Sequence, residues 1–306
     1  MKTFYTSQNG FVECEEWSPH CWINVEGPDH DDMKYLGEEL GVPEDFLVSS
    51  TDPNERPRID REGDWRFIIL RIPFRTVGQV SPYDTIPIGI ITNNEILLTI
   101  CAHKTEMISD FITHTRRREI QVDSESDFVL RLMYSSAYWY LKYLEVINRY
   151  MIIDEKSLAS SIKNEDMFSM LGIQRTLVYF NTSIQANEIL VDRLQSVYCE
   201  EFDSELSEDV KIELRQADMT AKIYDDIMGN TLDSFASVIS NNVNSIMKKM
   251  AALSIVLMVP TMIASFYGMN VAVAFQNEPY MFEVIIVGSL VLSIALYVFL
   301  RKIRWF

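Results

Sequence analysis

The sequence is short of cysteine and of positive charge. Its four cysteines, among 306 residues, include no C-x-x-C pair, so they do not form a disulfide framework and favour a reducing compartment. Only 27 basic side chains stand against 44 acidic ones, which gives a formal net charge of −17. A chain this acidic repels phosphate backbones, so nucleic acid is not an expected partner and cations are.

Enzyme signatures are also missing. The chain has no glycine-rich phosphate loop, no G-x-S-x-G nucleophile turn and no H-E-x-x-H metal motif. No catalytic group of side chains can be assembled from the remaining residues. We therefore expect that the protein is not an enzyme and that it carries no organic cofactor.

Two long apolar runs lie close to the C-terminus. Residues 251–267 and 284–300 are each free of charged side chains, and residues 281–283 extend the second run to about 20 positions. A helix of about 20 apolar residues crosses the hydrocarbon core of a bilayer. Buried core helices would be the alternative, but two adjacent runs favour a hairpin that spans the membrane.

The charges that flank these runs predict their orientation. The loop between them, residues 271–280, carries a single charge, the acidic Glu278, whereas the outer flanks are basic. The positive-inside rule then places both basic flanks, and both chain termini, in the cytoplasm of a multi-pass cell-membrane protein (inner or plasma membrane). The predicted basic cytoplasmic ring consists of Lys248, Lys249, Arg301, Lys302 and Arg304.

The order of patterns along the chain predicts an α+β cytoplasmic domain, a mixed sheet flanked by helices, followed by a long helix that runs into the hairpin. Short β-rich runs dominate the start of the chain, and apolar residues recur at helical spacing from Ser207 to Tyr267. The predicted segments are an N-terminal cytoplasmic α/β domain (1–120), a cytoplasmic helical segment (121–204), a stalk helix (205–249), a first membrane helix (250–270), an external loop (271–280), a second membrane helix (281–300) and a basic cytoplasmic tail (301–306).

Acidic residues cluster before and at the start of the predicted stalk. A solvated surface is the ordinary interpretation of such a cluster, and divalent-ion binding is the sharper one, because hard cations prefer carboxylate oxygens. The sequence leaves both open. The cluster consists of Glu188, Asp192, Glu200, Glu201, Asp203, Glu205, Glu208 and Asp209.

One face of the first apolar run carries small and polar residues at a mean spacing of 3.5. Such a stripe indicates either close helix packing or a water-lined axis between helices, and the spacing is compatible with both. No carboxylate lies on it, and neutral oxygens suit weak binding of hydrated Mg²⁺. The stripe consists of Asn244, Met247, Ala251, Ser254, Met258, Thr261 and Ser265.

The end of the first run reads Tyr267-Gly268-Met269-Asn270, and it is followed by a short loop, a second span and a basic tail. This arrangement resembles the CorA family of divalent metal ion transporters, whose signature is Tyr-Gly-Met-Asn at the end of the first of two C-terminal spans. The resemblance extends over the whole chain, from the Trp22–Val25 segment to the Ser240–Asn244 segment.

The resemblance implies a homopentamer in the lipid bilayer, with one central pore lined by the first span. It assigns the selectivity filter to Gly268, Met269 and Asn270, in which Asn270 side-chain oxygens and Gly268 carbonyls hold a hydrated Mg²⁺. The methionines would form hydrophobic constrictions that gate the pore by dewetting. Together with the stripe, it gives these pore-lining positions: Asn244, Met247, Met250, Ser254, Met258, Thr261 and Ser265.

The resemblance also implies regulation by cytoplasmic Mg²⁺ that bridges acidic groups of neighbouring subunits. Asp209 occupies the position of one such acid, at the start of the stalk. The partner acid is expected in the loop near 75–84, where Thr76-Val77-Gly78-Gln79 lacks a carboxylate, so Asp84 is the candidate substitute.

The function predicted from these observations is Mg²⁺ transport, with Co²⁺ and Ni²⁺ as further ions because they too hold octahedral hydration shells. One alternative is a zinc transporter of the same architecture. A second alternative, of another class, is a tail-anchored scaffold, which would not need polar residues facing a helix axis.

Overall fold

The computed structural model describes residues 2–7, 10–19, 21–76, 81–122, 124–160, 164–198, 202–269 and 278–303. The chain forms two compact units, Met1–Leu232 and Asp233–Phe306, which we call the body and the C-terminal unit. One long helix contributes its first part to the body and the rest to the C-terminal unit.

The centre of the body is a mixed sheet of seven strands in the order β2-β1-β3-β7-β6-β5-β4. Strands β3 and β7 are parallel, and the other neighbouring pairs are antiparallel. The strands are β1 (Lys2–Thr6), β2 (Val12–Cys14), β3 (Trp22–Glu26), β4 (Arg58–Glu62), β5 (Trp65–Arg75), β6 (Tyr83–Thr92) and β7 (Leu97–Cys101).

The helices follow two patterns: short ones interleave with the strands, and long ones follow the sheet. A π-helical stretch, Tyr35–Glu39, directly continues the first helix. The helices are α1 (His30–Lys34), α2 (Glu44–Thr51), α3 (Glu106–Arg117), α4 (Glu125–Ser160), α5 (Asn164–Tyr198), α6 (Ser204–Tyr267) and α7 (Met281–Lys302). The predicted α+β fold, with a long helix leading to a C-terminal helix, is confirmed.

Both faces of the sheet are buried, because alternate side chains of each strand point to opposite faces. One face packs against α1, the π-helical stretch and α2, where Leu36, Phe46 and Leu47 meet apolar strand residues. Helix α2 approaches β6 at Gly89, where a Cβ would lie 2.0 Å from Ser50 Oγ. Helices α4 and α5 cover the other face of the sheet.

Strand β5 extends beyond the end of its neighbour β4. The pairing of the two strands stops at Arg58, which lies opposite Ile69, and β5 continues to Arg75. An open strand edge is a template for unwanted pairing. Here the side chain of Asn187 on α5 occupies the open edge of β5: its Oδ1 accepts from Arg71 N at 3.0 Å, and its Nδ2 donates to Arg71 O at 2.7 Å. Two residues further along, Pro73 has no N–H to offer.

Candidate functional site

Helices α6 and α7 are both long and apolar enough to cross a membrane. Only 6% of the most apolar stretch of α6, and 17% of that of α7, is buried within the chain. A core helix of a soluble protein would be mostly covered by other parts of the chain, so these two helices expose an apolar surface to their surroundings. Lipid is the surrounding that suits such a surface.

The few buried residues of the C-terminal unit lie on one face of each helix. In α6, Ala252 is fully buried, and half-buried Val256 and Ile263 follow on the same face. In α7, Ser289 and Ser293 are buried at a spacing of four residues. We call these covered sides the packing faces of the two helices, because small side chains allow helix backbones to approach closely.

The predicted stripe of α6 lies on the other side of that helix. At about 100° per residue, its centre is about 230° around the helix from Ala252, which is about 130° in the other direction. The structure brings the predicted pore-lining residues together on this outward side, and packing inside the chain covers none of them. All of them are exposed: Asn244, Met247, Met250, Ser254, Met258, Thr261 and Ser265.

Two hydroxyl groups on the stripe donate hydrogen bonds to carbonyls of their own helix. Ser254 Oγ donates to the carbonyl of Met250 at 2.9 Å, and Thr261 Oγ1 donates to the carbonyl of Leu257 at 3.0 Å. The hydroxyl hydrogen is therefore used within the helix, and the oxygen lone pairs remain as acceptors. Such a surface can accept hydrogen bonds from water without carrying charge.

Helix α6 ends at Tyr267, next to the predicted filter. The Gly268 N–H donates to the carbonyl of Ala264 at 2.9 Å, and that of Met269 to the carbonyl of Phe266 at 3.4 Å. A Cβ at Gly268 would lie 3.3 Å from the Ala264 oxygen, so glycine fits this helix end with the least crowding. Asn270, the third predicted filter residue, lies outside the described residues.

The predicted basic ring falls at the ends of the two apolar stretches. Lys248 and Lys249 are exposed on α6 before its apolar stretch, and Arg301 and Lys302 are exposed in the last turn of α7. Arg304 lies outside the described residues. Cations at these positions suit a membrane–water boundary, where long basic side chains keep their charge in water.

The two predicted regulatory acids occupy different elements of the body. Asp209 is exposed at the beginning of α6, and Asp84 is half-buried in β6, where its Oδ1 accepts from Thr85 N at 2.7 Å. Burial, together with the negative charges of Glu213 and Asp209, raises the pKa of Tyr134. Within the described part of the chain, no group of three or more His, Cys, Asp or Glu side chains is placed to hold a metal ion.

Members of the predicted acidic cluster are partly neutralised by α6. Arg215 Nε lies 2.9 Å from Glu188 Oε1, and Lys211 Nζ lies 2.7 Å from Asp192 Oδ1. These ion pairs favour the interpretation of this part of the cluster as a solvated surface. Glu200 and Glu201 lie outside the described residues.

Sequence reasoning missed the packing face of the C-terminal unit. Its buried members in α7 are Leu300 and two hydroxylated residues four apart, Ser289 and Ser293, and each serine donates to a carbonyl of its own helix. Small residues at i and i+4 in an apolar helix are the signal that could have located this face.

Comparison with known proteins places the chain in a family. The model of the family described as CorA-like Mg²⁺ transporter protein matches residues 17–302. The chain is 26% identical over 293 residues to the cobalt/magnesium transport protein CorA of Methanocaldococcus jannaschii, covering 93% of this chain and 90% of that protein. It is 23% identical over 299 residues to that of Thermotoga maritima, covering 93% and 83%.

The fold agrees with a solved structure as well. The complete structure of the CorA magnesium transporter from Methanocaldococcus jannaschii superposes with a TM-score of 0.83 at 21% identity, covering 100% of this chain and 99% of that one. The agreement therefore includes the body and both membrane-length helices. Because the family match leaves out only the ends of the chain, the protein belongs to the CorA-like Mg²⁺ transporter family.

Proposed function

We propose that this protein conducts Mg²⁺ across the cell membrane along the axis of a homopentamer, with the α6 helix of each copy lining the pore. Co²⁺ and Ni²⁺ pass through the same pore, because they are divalent and hold octahedral hydration shells. The match to the CorA-like Mg²⁺ transporter family supports this proposal, and so does the name of both relatives, cobalt/magnesium transport protein.

The observation that carries the proposal is the exposure of the stripe on the side of α6 away from its packing face. If α7 packs outside a ring of α6 helices, the opposite side of α6 points to the ring axis. That side holds Asn244, Ser254 and Thr261, whereas a lipid-facing side would be uniformly apolar. A polar stripe that packing within the chain leaves uncovered is what a water-lined axis requires.

The chemistry of the stripe suits passage rather than capture. Ser254 and Thr261 present oxygen lone pairs that accept hydrogen bonds from the water shell of an ion. Mg²⁺ sheds its waters reluctantly, so neutral acceptors hold the hydrated ion weakly enough to release it.

Gating is assigned to rings of methionine. Met247, Met250 and Met258 are exposed by 63%, 57% and 63%, and five copies of each would form apolar constrictions around the axis. A narrow apolar ring excludes water and ions when it closes, and it conducts once it widens enough to be wetted. Asn244 adds a polar ring at the cytoplasmic end.

Ion selection is assigned to the outer end of α6. Gly268 carbonyls and Asn270 side-chain oxygens form a ring of neutral acceptors that holds the hydrated Mg²⁺, and Met269 lies between them. The ring ranks divalent ions by the size and stability of their hydration shells. No fixed negative charge is needed, because the membrane potential supplies the attraction.

Both chain termini lie in the cytoplasm in this proposal, with residues 271–280 outside. An inside-negative potential drives inward movement, at about 2.3 kcal/mol per elementary charge per 100 mV. The acidic body, with 22 basic against 42 acidic side chains in residues 1–246, attracts cations toward the cytoplasmic side.

Cytoplasmic Mg²⁺ regulates the pore by bridging Asp209 of one copy to an acid of its neighbour. Asp209 is exposed and therefore free to reach another subunit. Asp84 is the candidate partner, since its carboxylate is half-exposed in β6. Loss of the bridging ion at low internal Mg²⁺ would loosen the closed ring.

Mg²⁺ uptake into liposomes that contain the purified protein tests the proposal, with an inside-negative potential and a trapped Mg²⁺-sensitive dye. We expect saturable uptake that is lost in Asn270→Ala while the oligomer survives gel filtration. Ser254→Leu, which places a large apolar side chain on the stripe, lowers uptake at least tenfold; Ile255→Leu, one residue off the stripe, leaves it unchanged.

Other outcomes would lead to the alternatives. Uptake of Zn²⁺ in preference to Mg²⁺ would indicate a zinc transporter of the same architecture. If a well-folded oligomer takes up no divalent ion even without internal Mg²⁺, the stripe is a packing surface and the scaffold interpretation replaces the pore. Normal uptake in Asn270→Ala would refute the filter assignment alone.

A further inference from the structure

A groove of about 830 Å³ opens on the body between the turn at residues 53–57 and helix α5. Its volume falls within the range of about 300–1,000 Å³ found for small-molecule sites. Every residue that lines it belongs to the body. No step of the proposed ion pathway uses it.

Arg71 forms the floor of this groove. Its Nε donates to Thr85 Oγ1 at 3.0 Å, and its Nη1 donates to the carbonyls of Pro53 and Glu55 at 2.9 and 2.8 Å. Its Nη2 donates to the Thr85 carbonyl. All four acceptors are neutral, so a half-buried guanidinium stands beside the groove without a carboxylate partner among the described residues.

Two further arginines line the groove, Arg56 on the turn and Arg193 on α5, and both are exposed. Neither side chain forms an ion pair within the residues that the structure describes. Three positive charges therefore converge on one groove, and each free guanidinium offers five N–H donors in a planar fork.

Of the acidic side chains near these arginines in sequence, Asp52 is exposed and accepts from Asn54 N at 2.9 Å, and three others, including Glu55 of the groove lining, form ion pairs. Glu55 pairs with Arg58, Glu188 lies 2.9 Å from Arg215 and Asp192 lies 2.7 Å from Lys211, all oxygen-to-nitrogen distances. These pairs leave the groove as a local positive region on a body whose net charge is negative. Screening limits the repulsion by distant acids, since the Debye length is about 8 Å at physiological ionic strength.

The wall formed by α5 is aromatic and apolar. Tyr179 is 41% exposed, and Val178 and Ile189 are 47% and 56% exposed along the same side of the groove. A ligand that is complementary to both the three arginines and the α5 wall carries several negative charges and a planar apolar group. A guanidinium group can donate two parallel hydrogen bonds to the oxygens of one phosphate, and an aromatic ring offers a face on which a planar group can stack.

We propose that this groove binds an organic phosphate of the nucleotide class. Arg56 and Arg193 hold the phosphates, Arg71 supplies fixed positive charge beneath them, and Tyr179 stacks on the base. The site is independent of the ion pathway, so it can be tested by binding alone.

Isothermal titration of the full-length protein in detergent with ATP, at a fixed free Mg²⁺ concentration, tests this proposal. We expect saturable binding that the double variant Arg56→Gln/Arg193→Gln weakens at least tenfold. The control Arg117→Gln/Arg149→Gln removes the same two positive charges from exposed positions on α3 and α4 and leaves the affinity unchanged. Adenosine and inorganic phosphate, each lacking half of the ligand, bind at least tenfold more weakly than ATP.

Four outcomes would overturn the proposal. They are no binding of ATP, equal binding by the double variant, binding of adenosine or inorganic phosphate as tight as that of ATP, and a change in the sedimentation of the double variant. The last would show that the groove is a contact between copies of the chain. None of these measurements depends on ion transport, so failure here and failure of the proposed pore are distinguishable.

Discussion

The body and the C-terminal unit arrange their side chains in opposite ways. In the body, large apolar side chains such as Trp22 and Tyr140 are buried, with exposures of 2% and 0%. In the C-terminal unit, Leu257 and Phe282 are 61% and 73% exposed, whereas Ser293 is buried. The difference shows that water drives the packing of the body, whereas the C-terminal unit packs through small side chains in apolar surroundings.

The hydrogen-bond partners of polar side chains also differ between the body and the C-terminal unit. In the body, buried polar atoms bond between elements: Trp22 Nε1 donates to Thr99 Oγ1 at 2.8 Å, and Thr99 Oγ1 donates to Asn24 Oδ1 at 2.9 Å. In the C-terminal unit, hydroxyl groups such as that of Ser254 bond to a carbonyl of their own helix. These polar side chains of the body connect different elements, whereas these hydroxyl groups of the C-terminal unit bond within a single helix.

The largest effect on stability is expected where an inter-element polar contact of the body is removed. Asn187→Ala leaves the buried N–H of Arg71 without its side-chain partner, whereas the Arg71 carbonyl keeps the Tyr140 hydroxyl at 3.1 Å, so we expect a loss of about 2 kcal/mol of unfolding free energy. Urea unfolding followed by tryptophan fluorescence measures it, because four of the five tryptophans lie in the body. Gln185→Ala serves as the control: it removes an exposed hydrogen bond to Asp218 Oδ1 (3.0 Å) that water replaces, so the expected loss is within about 0.5 kcal/mol. Equal losses in the two variants would contradict the edge-sealing role.

A matched pair of truncations compares the two units directly. Ser183→Ala removes a buried hydroxyl that bonds to Thr85 Oγ1 at 2.8 Å, and we expect a loss of about 1 kcal/mol. Ser293→Ala removes a hydroxyl bonded only to the Ser289 carbonyl of its own helix, so the expected loss is within about 0.5 kcal/mol. Hydrogen exchange of the body and of α7, read by mass spectrometry, reports each loss. A larger loss of stability in Ser293→Ala than in Ser183→Ala would contradict the proposed difference between hydroxyl groups that connect elements and hydroxyl groups that bond within one helix.

The same division explains how much of the fold could be predicted from the sequence. The long helix and α7 were predictable because lipid requires unbroken apolar runs of a known length. Strands β3, β5, β6 and β7 were also visible, as the β-rich runs at residues 21–25, 67–72, 87–92 and 95–100. Strands β1, β2 and β4 and helix α2 were missed, because they are short and their form depends on tertiary partners.

The polar contacts of the candidate regions were less predictable. Asn187 looks like a solvent-facing residue of α5 until the open edge of β5 is known, and Arg71 looks like one charge among many. The stripe of α6 was visible as a pattern, but the pattern alone could not separate packing from a water-lined axis. The structure adds Ala252 and Ser293 as packing residues on faces that the pattern did not mark.

The smallest expected effect concerns a carboxylate of the body. Glu26, the last residue of β3, is half-buried, and burial raises its pKa, opposed by hydrogen bonds from the Thr105 N–H at 2.8 Å and from the Asn24 amide. A raised pKa means that the folded state binds the proton more readily than the unfolded state. Stability therefore falls as pH rises from the ordinary glutamate range through the raised pKa, and the full cost is present at neutral pH.

Glu26→Gln removes this titration and keeps an oxygen for Thr105. We expect the variant to gain under about 1 kcal/mol over the parent at pH 7.5, with the gain shrinking toward pH 4.5, as measured by urea unfolding. Glu62→Gln is the matched control, since Glu62 is the exposed last residue of β4 and its substitution should change little at either pH. A gain that is constant with pH, or that grows on acidification, would mean that Glu26 contributes to the body through contacts other than the cost of burying its charge. The pH dependence of the body's stability would then have to come from its exposed carboxylates. That result would weaken the contrast between the body, which buries an ionisable group, and the C-terminal unit, which exposes its own.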